Sequence, residues 1–282
     1  MKKGDRYNFL VQFPFTIYRK LYLLFFCRAT ASAKEWVCYI GELALLWWRT
    51  VGCIFTPPFK GYRSLAQAQR IGPGSFIISA LVAFFVGMII ALQMAYQMVQ
   101  LSAELYIPNV IAVALTRELT PVLTALIVAG RIGAGIAAET GSMVVTEQVD
   151  ALQAFGVNPV RYLVMPRFLG LIIMLPVLTM LSDIIGIWGG YVICVFKLHI
   201  SHEMFWKMTF HALAMKDIVT GLVKTVFFGM IIAIVGCYHG LSVQGGADGV
   251  GKATTTAVVR SFILIIITDC FITFVFYFLL NV

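Results

Sequence analysis

The sequence predicts an all-α integral membrane protein, and three observations predict it. Of its 282 residues 60% are hydrophobic and 12% charged, and the mean hydropathy is +0.91, outside the composition of soluble domains. Residues 75–98 hold no charge over 24 positions, enough for an α-helix rising about 1.5 Å per residue to cross about 30 Å of hydrocarbon. Between Ile107 and Arg167 a lipid-grade span carries Arg117 and Glu118 at its centre, then runs into a polar, carboxylate-bearing stretch, TEQVDALQAFGVNPVRY. No uninterrupted polar stretch is long enough for a soluble catalytic domain, so catalytic residues are not expected and any enzymatic engine belongs to another chain.

Residues 1–33 form a basic, aromatic leader. MKKGDRYNFLVQFPF is basic and then apolar like a signal peptide, but Arg19, Lys20 and Arg28 interrupt it and no cleavage site follows, so it is expected to be retained. Residues 34–70 read as an interfacial helix and connector. Glu42 and Arg49 break the apolar run from Lys34 to Phe55, while Trp36, Trp47 and Trp48 favour the headgroup region; the alternative is a sixth span. Five spans are expected, at 75–98, 108–136, 163–196, 217–239 and 256–280. Eleven of the 21 basic residues lie at or before Arg70, which places the N-terminus in the cytoplasm. Alternation puts 137–162 and 240–255 inside, and leaves Lys197, Lys207 and Lys216 outside against that rule.

An ionised side chain at the bilayer midplane costs about 2.5–3.5 kcal/mol on insertion scales, so Arg117 and Glu118 must face protein or a water-filled cavity. Pro121 removes a backbone N–H beside them, which predicts a locally opened helix. Lys224, alone in GLVKTVFFGM, needs a partner, and Glu118 is the candidate. A purely structural ion pair is the bland alternative. Gly130, Gly133, Gly135, Ala137 and Gly141 predict close helix packing more than ligand contact.

Several motifs are weaker than they look. GRIGAG has no strand before it, and GADGVGKA at 246–253 matches a phosphate loop except at Ala253 but follows an apolar span; a flexible cytoplasmic loop, capped by Thr254 to Thr256 at the start of the last helix, is expected there. His199, His202 and Glu203 lack a third ligand fixed by sequence, so a solvated loop is expected and no metal site. Cysteines 27, 38, 53, 194, 237 and 270 show no paired spacing, and no cofactor is implied. VTEQVDALQAFG reads as a short helix ended by Gly156, with Asn158-Pro159 turning the chain back. Its stripe of Val145, Val149, Leu152 and Phe155 calls for a partner protein or for this protein's own helix ends.

TRELTPVLTALIVAGRIGAGIAAETGSMVVTEQVDALQAFGVNPVRYLVMPR resembles the signature block of the MlaE (YrbE-type) permeases of lipid-transporting ABC systems, and YHGLSVQGGADGVGKATTTAVVRS resembles their second block. Thr120 stands where a glycine is usual. The resemblance covers roughly residues 60 to 280 and makes 71–282 an MlaE-type permease domain. It implies a multi-pass homodimer of the bacterial inner membrane, five spans preceded by an amphipathic helix, and a lipid-holding cavity between the copies. The implied partners are a cytoplasmic ABC ATPase that hydrolyses the ATP, a hexameric periplasmic ring of MCE-domain protein and a small STAS-domain protein, with no nucleic acid. The implied lipid path runs by Arg117, Glu118 and Lys224, with Leu119, Gln93 and Tyr96 as further lining candidates. Residues 139–157 match the helix that couples to the ATPase, which nominates Glu139, Thr146, Glu147, Asp150, Leu152, Phe155 and Gly156. The expected function is movement of phospholipids or related lipids between the inner membrane and the MCE ring, in support of outer-membrane asymmetry. The rivals are an ion-coupled secondary transporter working through Glu118, Lys224 and Arg117, and a structural membrane anchor.

Overall fold

The computed structural model describes residues 31–54 and 61–279. Residues 1–30 with Cys27, and with them the expected retained leader, lie outside the described residues, as do 55–60 and 280–282. Among the described residues every regular element is helical, and six helices are long and apolar enough to cross a membrane by length and composition. The one beyond the expected five is the segment read as interfacial. It lies in helix α1 (Ala31–Ile54), and its window, Trp36–Ile54, is the least apolar of the six because Glu42 and Arg49 interrupt it.

The chain divides into two compact units, Met1–Trp48 and Arg49–Val282. Within the first unit Trp36 sets its ring edge-on to Tyr39, centroids 6.0 Å apart, and Trp47 and Trp48 stand 6.3 Å apart.

The second unit continues with α2 (Gly61–Gln100), which starts well before residue 75 and carries Pro73 inside it. The span Glu104–Val145 follows, made of α3 (Ile107–Ala114), α4 (Thr120–Val128) and α5 (Ala134–Val145), joined by π-helical turns at Leu115–Leu119 and Ala129–Gly133. Then come α6 (Gln148–Ala154), α7 (Met165–Phe196), α8 (His202–Ala212), α9 (Met215–Leu241) and α10 (Gly246–Leu279). Helices α6 and α8 therefore mark opposite ends of the bundle.

Two expectations are corrected here. Arg117 and Glu118 lie about a third of the way along their span, not at its centre, because the helix continues past residue 136 to Val145. Small residues allow that extension: a Cβ at Gly236 would stand 3.1 Å from the Gly133 carbonyl oxygen, and one at Gly240 would stand 3.0 Å from that of Ala137, so α9 lies directly on the backbone of this span. The segment 246–253 is not a flexible loop but the first turns of α10, entered through Gly245 and Gly246 at φ +90° and +70°. Thr254, Thr255 and Thr256 do not cap the helix. Their hydroxyls donate to the carbonyls of Val250, Gly251 and Lys252 one turn back, at 2.8, 3.1 and 2.7 Å.

Helices α2 and α7 run in the same direction and share the most extensive contact of the unit. Gly170 lies against Gln67 and Ala68, Gly186 against the Ala83 carbonyl, and Gly190 near the Gly87 carbonyl, a register repeated every four residues or multiples of four. Gly186 and Gly190 form a G-x-x-x-G face, and a Cβ at Gly87 would fall onto the Gly186 carbonyl oxygen. Toward the α8 end, Ile90, Ala91, Ile107, Ile111, Leu115, Ile187 and Phe205 make an apolar core. His202 belongs to the aromatic cap over it, with Nδ1 3.0 Å from the Tyr191 hydroxyl and its ring edge-on to that of Tyr191. Cys38, Cys53, Cys194, Cys237 and Cys270 are free thiols.

Candidate functional site

The local opening expected at Pro121 takes the form of the π turn Leu115–Leu119, in which the Thr120 N–H bonds the Leu115 carbonyl five residues back. The wider turn changes the phase of the helix. Leu115, Thr116 and Thr120 face the interior, Arg117 and Glu118 are half-buried, and Leu119 faces outward. Thr116 donates its hydroxyl to the Ala112 carbonyl at 2.9 Å. Helix α9 approaches this turn at Gly221, where a Cβ would fall onto the Thr116 carbonyl oxygen. Absence of a side chain at that position lets Lys224, one turn further on, reach Glu118.

Lys224 has 0% exposure, and three oxygens surround its ammonium. It pairs with Glu118 Oε2, lies 2.9 Å from Asp269 Oδ1 and donates to Thr273 Oγ1 at 2.7 Å. Thr273 passes the bond on, donating to Glu118 Oε2 at 3.3 Å. Two of the ammonium's three donors bond Glu118 and Thr273, and Asp269 faces it as an ion-pair partner, so the lysine ties the Glu104–Val145 span, α9 and α10 together. The carboxylates are the accessible part of the network, at 36% exposure for Glu118 and 22% for Asp269. Arg117 reaches the start of α9, where Nη1 lies 3.6 Å from Asp217 Oδ1. Asp217 also accepts from the Ala214 N–H at 3.3 Å, so it serves both as helix cap and as counter-ion.

Gln93 and Tyr96, two of the lining candidates, lie on the outward face of α2, Tyr96 at 75% exposure. Among the described residues neither forms a hydrogen bond or ion pair with the charge network, whereas Leu119 adjoins it through Glu118. Sequence reasoning missed Asp217, Asp269, Thr273 and also Asp183, which stands half-buried in α7 beside Thr120. The rule that singled out Glu118, a carboxylate inside a lipid-length span, applies equally to Asp183 and Asp269.

At the other end, the helix expected from VTEQVDALQAFG is α6 (Gln148–Ala154). Gly156, at φ +73°, ends it with two reverse bonds, from its own N–H to the Gln153 carbonyl and from the Val157 N–H to that of Leu152. Glu147 enters it at φ +60°, after Thr146 has donated its hydroxyl to Ser142 at 2.9 Å. Asn158 Oδ1 accepts from the Val160 N–H at 2.9 Å and turns the chain into α7. The apolar stripe divides: Val149 is buried, Leu152 is half-buried, and Phe155 projects at 84% exposure. Asp150 and Glu147 are exposed beside it. Glu139 sits above in α5, held by Arg167 at 2.9 Å and Arg70 at 3.6 Å, while Arg167 also donates to Thr140 at 3.0 Å. That clasp joins α2, α5 and α7 over the short helix.

A long-span helical bundle with a buried lysine network at one end and a projecting, glycine-terminated helix at the other is the setting in which relatives are informative. The Permease MlaE family matches residues 64–275. The chain belongs to this family. A probable ABC transporter permease protein of Rickettsia felis is 44% identical over 238 residues, which cover 84% of this chain and 92% of the relative. Similar proteins of the same description occur in Synechocystis sp., at 42% identity over 76% of this chain and 81% of the relative, and in Pyropia yezoensis, at 36% over 84% and 90%. As a member of the MlaE permease family the protein is a multi-pass membrane subunit of ABC-permease type, a class that implies a separate ATPase.

Proposed function

We propose that this MlaE-family permease moves phospholipids or related amphiphiles between the bacterial inner membrane and a periplasmic ring of MCE-domain protein, as a homodimer with its N-terminus in the cytoplasm. A cytoplasmic ATPase drives it, and a STAS-domain protein completes the complex. The observation that carries the reading is the network of Lys224, Glu118, Asp269 and Thr273. A buried cation joins three span-forming elements while its two carboxylates keep an accessible face, which suits a site that holds its shape as an amphiphile passes.

The division of labour follows from exposure. Lys224 is a positioning residue, enclosed and engaged by three oxygens. Arg117, Glu118 and Leu119, half-buried to exposed on the π turn, are the side chains that meet the lipid, with Gln93 and Tyr96 on the outward face of α2 lining the path where a second copy closes it. Phe155, with Leu152, Asp150, Glu147 and Thr146 around it and Gly156 setting its direction, docks on the ATPase. Glu139 transmits the push, since Arg167 and Arg70 join it to α7 and α2. ATP-driven closure of two ATPases then rocks the permease halves through α6.

The test is native mass spectrometry of the complex purified from a strain that co-expresses the permease with its ATPase. Two permeases, two ATPases and a retained glycerophospholipid are the expected composition. A lipid-free monomer that binds no ATPase, reproduced in milder detergents, overturns the reading.

A further inference from the structure

The span Glu104–Val145 contains two π turns, and each has an arginine as its third residue. In Leu115–Leu119 that arginine is Arg117, followed by Glu118 and facing Asp217 at 3.6 Å. In Ala129–Gly133 it is Arg131, followed by Ile132, and among the described residues it forms no ion pair. The wide turn instead lays its guanidinium across α2. Nη1 donates to the Ser75 hydroxyl at 3.3 Å, and a Cβ at Gly74 would fall onto Nη1 and Nη2. The bare glycine is what lets this cation rest on the helix. Ser75 opens the uncharged run 75–98, and Arg131 lies 24 positions after Ile107, so along either helix this level is about 36 Å from the α8 end, slightly more than the hydrocarbon thickness. Arg131 therefore stands at headgroup level in the leaflet on the α6 side, and its side chain is exposed.

The next turn of α2 adds charge. Arg70 precedes Gly74 by four residues, which puts it on the same face about 6 Å nearer α6. It is exposed and meets Glu139 only at 3.6 Å, while Arg167 holds the other oxygen of that carboxylate at 2.9 Å. Three guanidiniums thus line the seam between α2 and the span against one carboxylate, an excess of two positive charges. A guanidinium meets phosphate oxygens bidentately, and two neighbouring forks, one without a counter-ion and one weakly engaged, fit a phosphate between them. In the other direction from Gly74 the same face of α2 continues through Ile78 and Leu81, both exposed, so an acyl chain attached to that phosphate has an apolar surface to lie on. A free anion makes no use of that surface. A zwitterionic headgroup brings its own cation into the positive field, whereas an anionic one does not, and basic sites between spans are where anionic headgroups bind.

We infer that Arg131 and Arg70 hold the phosphate of one anionic phospholipid at the seam between α2 and the Glu104–Val145 span, a site separate from the lysine network. The inference concerns the permease alone and stands whether or not the protein transports lipid. In the experiment, delipidated full-length protein in detergent is titrated with phosphatidylglycerol or with phosphatidylcholine of the same acyl chains, with and without inorganic phosphate at fixed ionic strength, and native mass spectrometry counts the bound lipid. The wild type is expected to take its first phosphatidylglycerol about fivefold or more tighter than phosphatidylcholine, and Arg131→Gln to lower that preference about fivefold, the equivalent of about 1 kcal/mol. Arg70→Gln, which changes an exposed side chain, is expected to lower it as well and serves if Arg131→Gln fails to fold. A purely structural arginine would leave the ratio between the two lipids unmoved. No preference in the wild type, or an undiminished preference in both variants, overturns the inference. Displacement of phosphatidylglycerol by millimolar inorganic phosphate also overturns it, by assigning the site to a free anion.

Discussion

Replacing Lys224 by methionine removes the cation that Glu118 and Asp269 share, and the structure allows the cost to be worked out. At the 2.9 Å separation from Asp269 Oδ1, one unit-charge pair at an effective dielectric constant of about 20 has a gross attraction of about 6 kcal/mol. Enclosing the ammonium completely offsets much of that attraction. What the substitution leaves behind matters more than what it deletes. Two carboxylates then face each other without a cation, and the single Thr273 hydroxyl can donate to only one of them. Removing one partner of a buried pair costs about 3–5 kcal/mol, whereas replacing the entire set with uncharged groups of similar volume is close to neutral. The assay is equilibrium unfolding in mixed micelles by added dodecyl sulfate, read by tryptophan fluorescence. Lys224→Met is expected to lose about 3–5 kcal/mol, and Lys224→Met/Glu118→Gln/Asp269→Asn is expected to stay within about 1 kcal/mol of the wild type. A single variant as stable as the wild type, or a triple variant as damaged as the single, would refute the reasoning.

Gly221→Val places branched carbon on the Thr116 carbonyl and pushes α9 away from the π turn, so transport by the assembled complex is expected to fall at least tenfold and stability by about 1–3 kcal/mol; lipid transfer between vesicles and the same unfolding titration check both. Phe155→Asp alters a side chain that touches little of its own chain, so the unfolding midpoint is expected to stay within about 0.5 kcal/mol while co-purification of the ATPase is lost, read by affinity capture and thermal shift.

Much of the architecture was legible in the chain. Hydropathy located the five most apolar spans, because lipid demands a continuous apolar run whatever the helix packs against. Gly156 and Asn158-Pro159 announced the end of α6, because caps and turns act through neighbours only a few residues away. The pairing of Lys224 with Glu118 was legible too, since a lone lysine in a span needs a carboxylate. The helical start of α10 was not. Its glycines and threonines have loop propensity, and packing against α5 and α9 overrides it.

The sequence by itself determined that this protein lives in lipid, roughly where its spans run, and that charges inside them require partners, because transfer into hydrocarbon depends on each side chain's own composition. Only the tertiary structure decided which partners those are. Asp269 and Thr273 reach Lys224 from positions 45 and 49 residues further along the chain, Glu118 from 106 residues before it, and Gly186 meets the Ala83 carbonyl because α2 and α7 lie parallel in one register. Such meetings depend on how glycine-bearing faces slide together and where a π turn resets the phase of a helix, and composition carries no record of either.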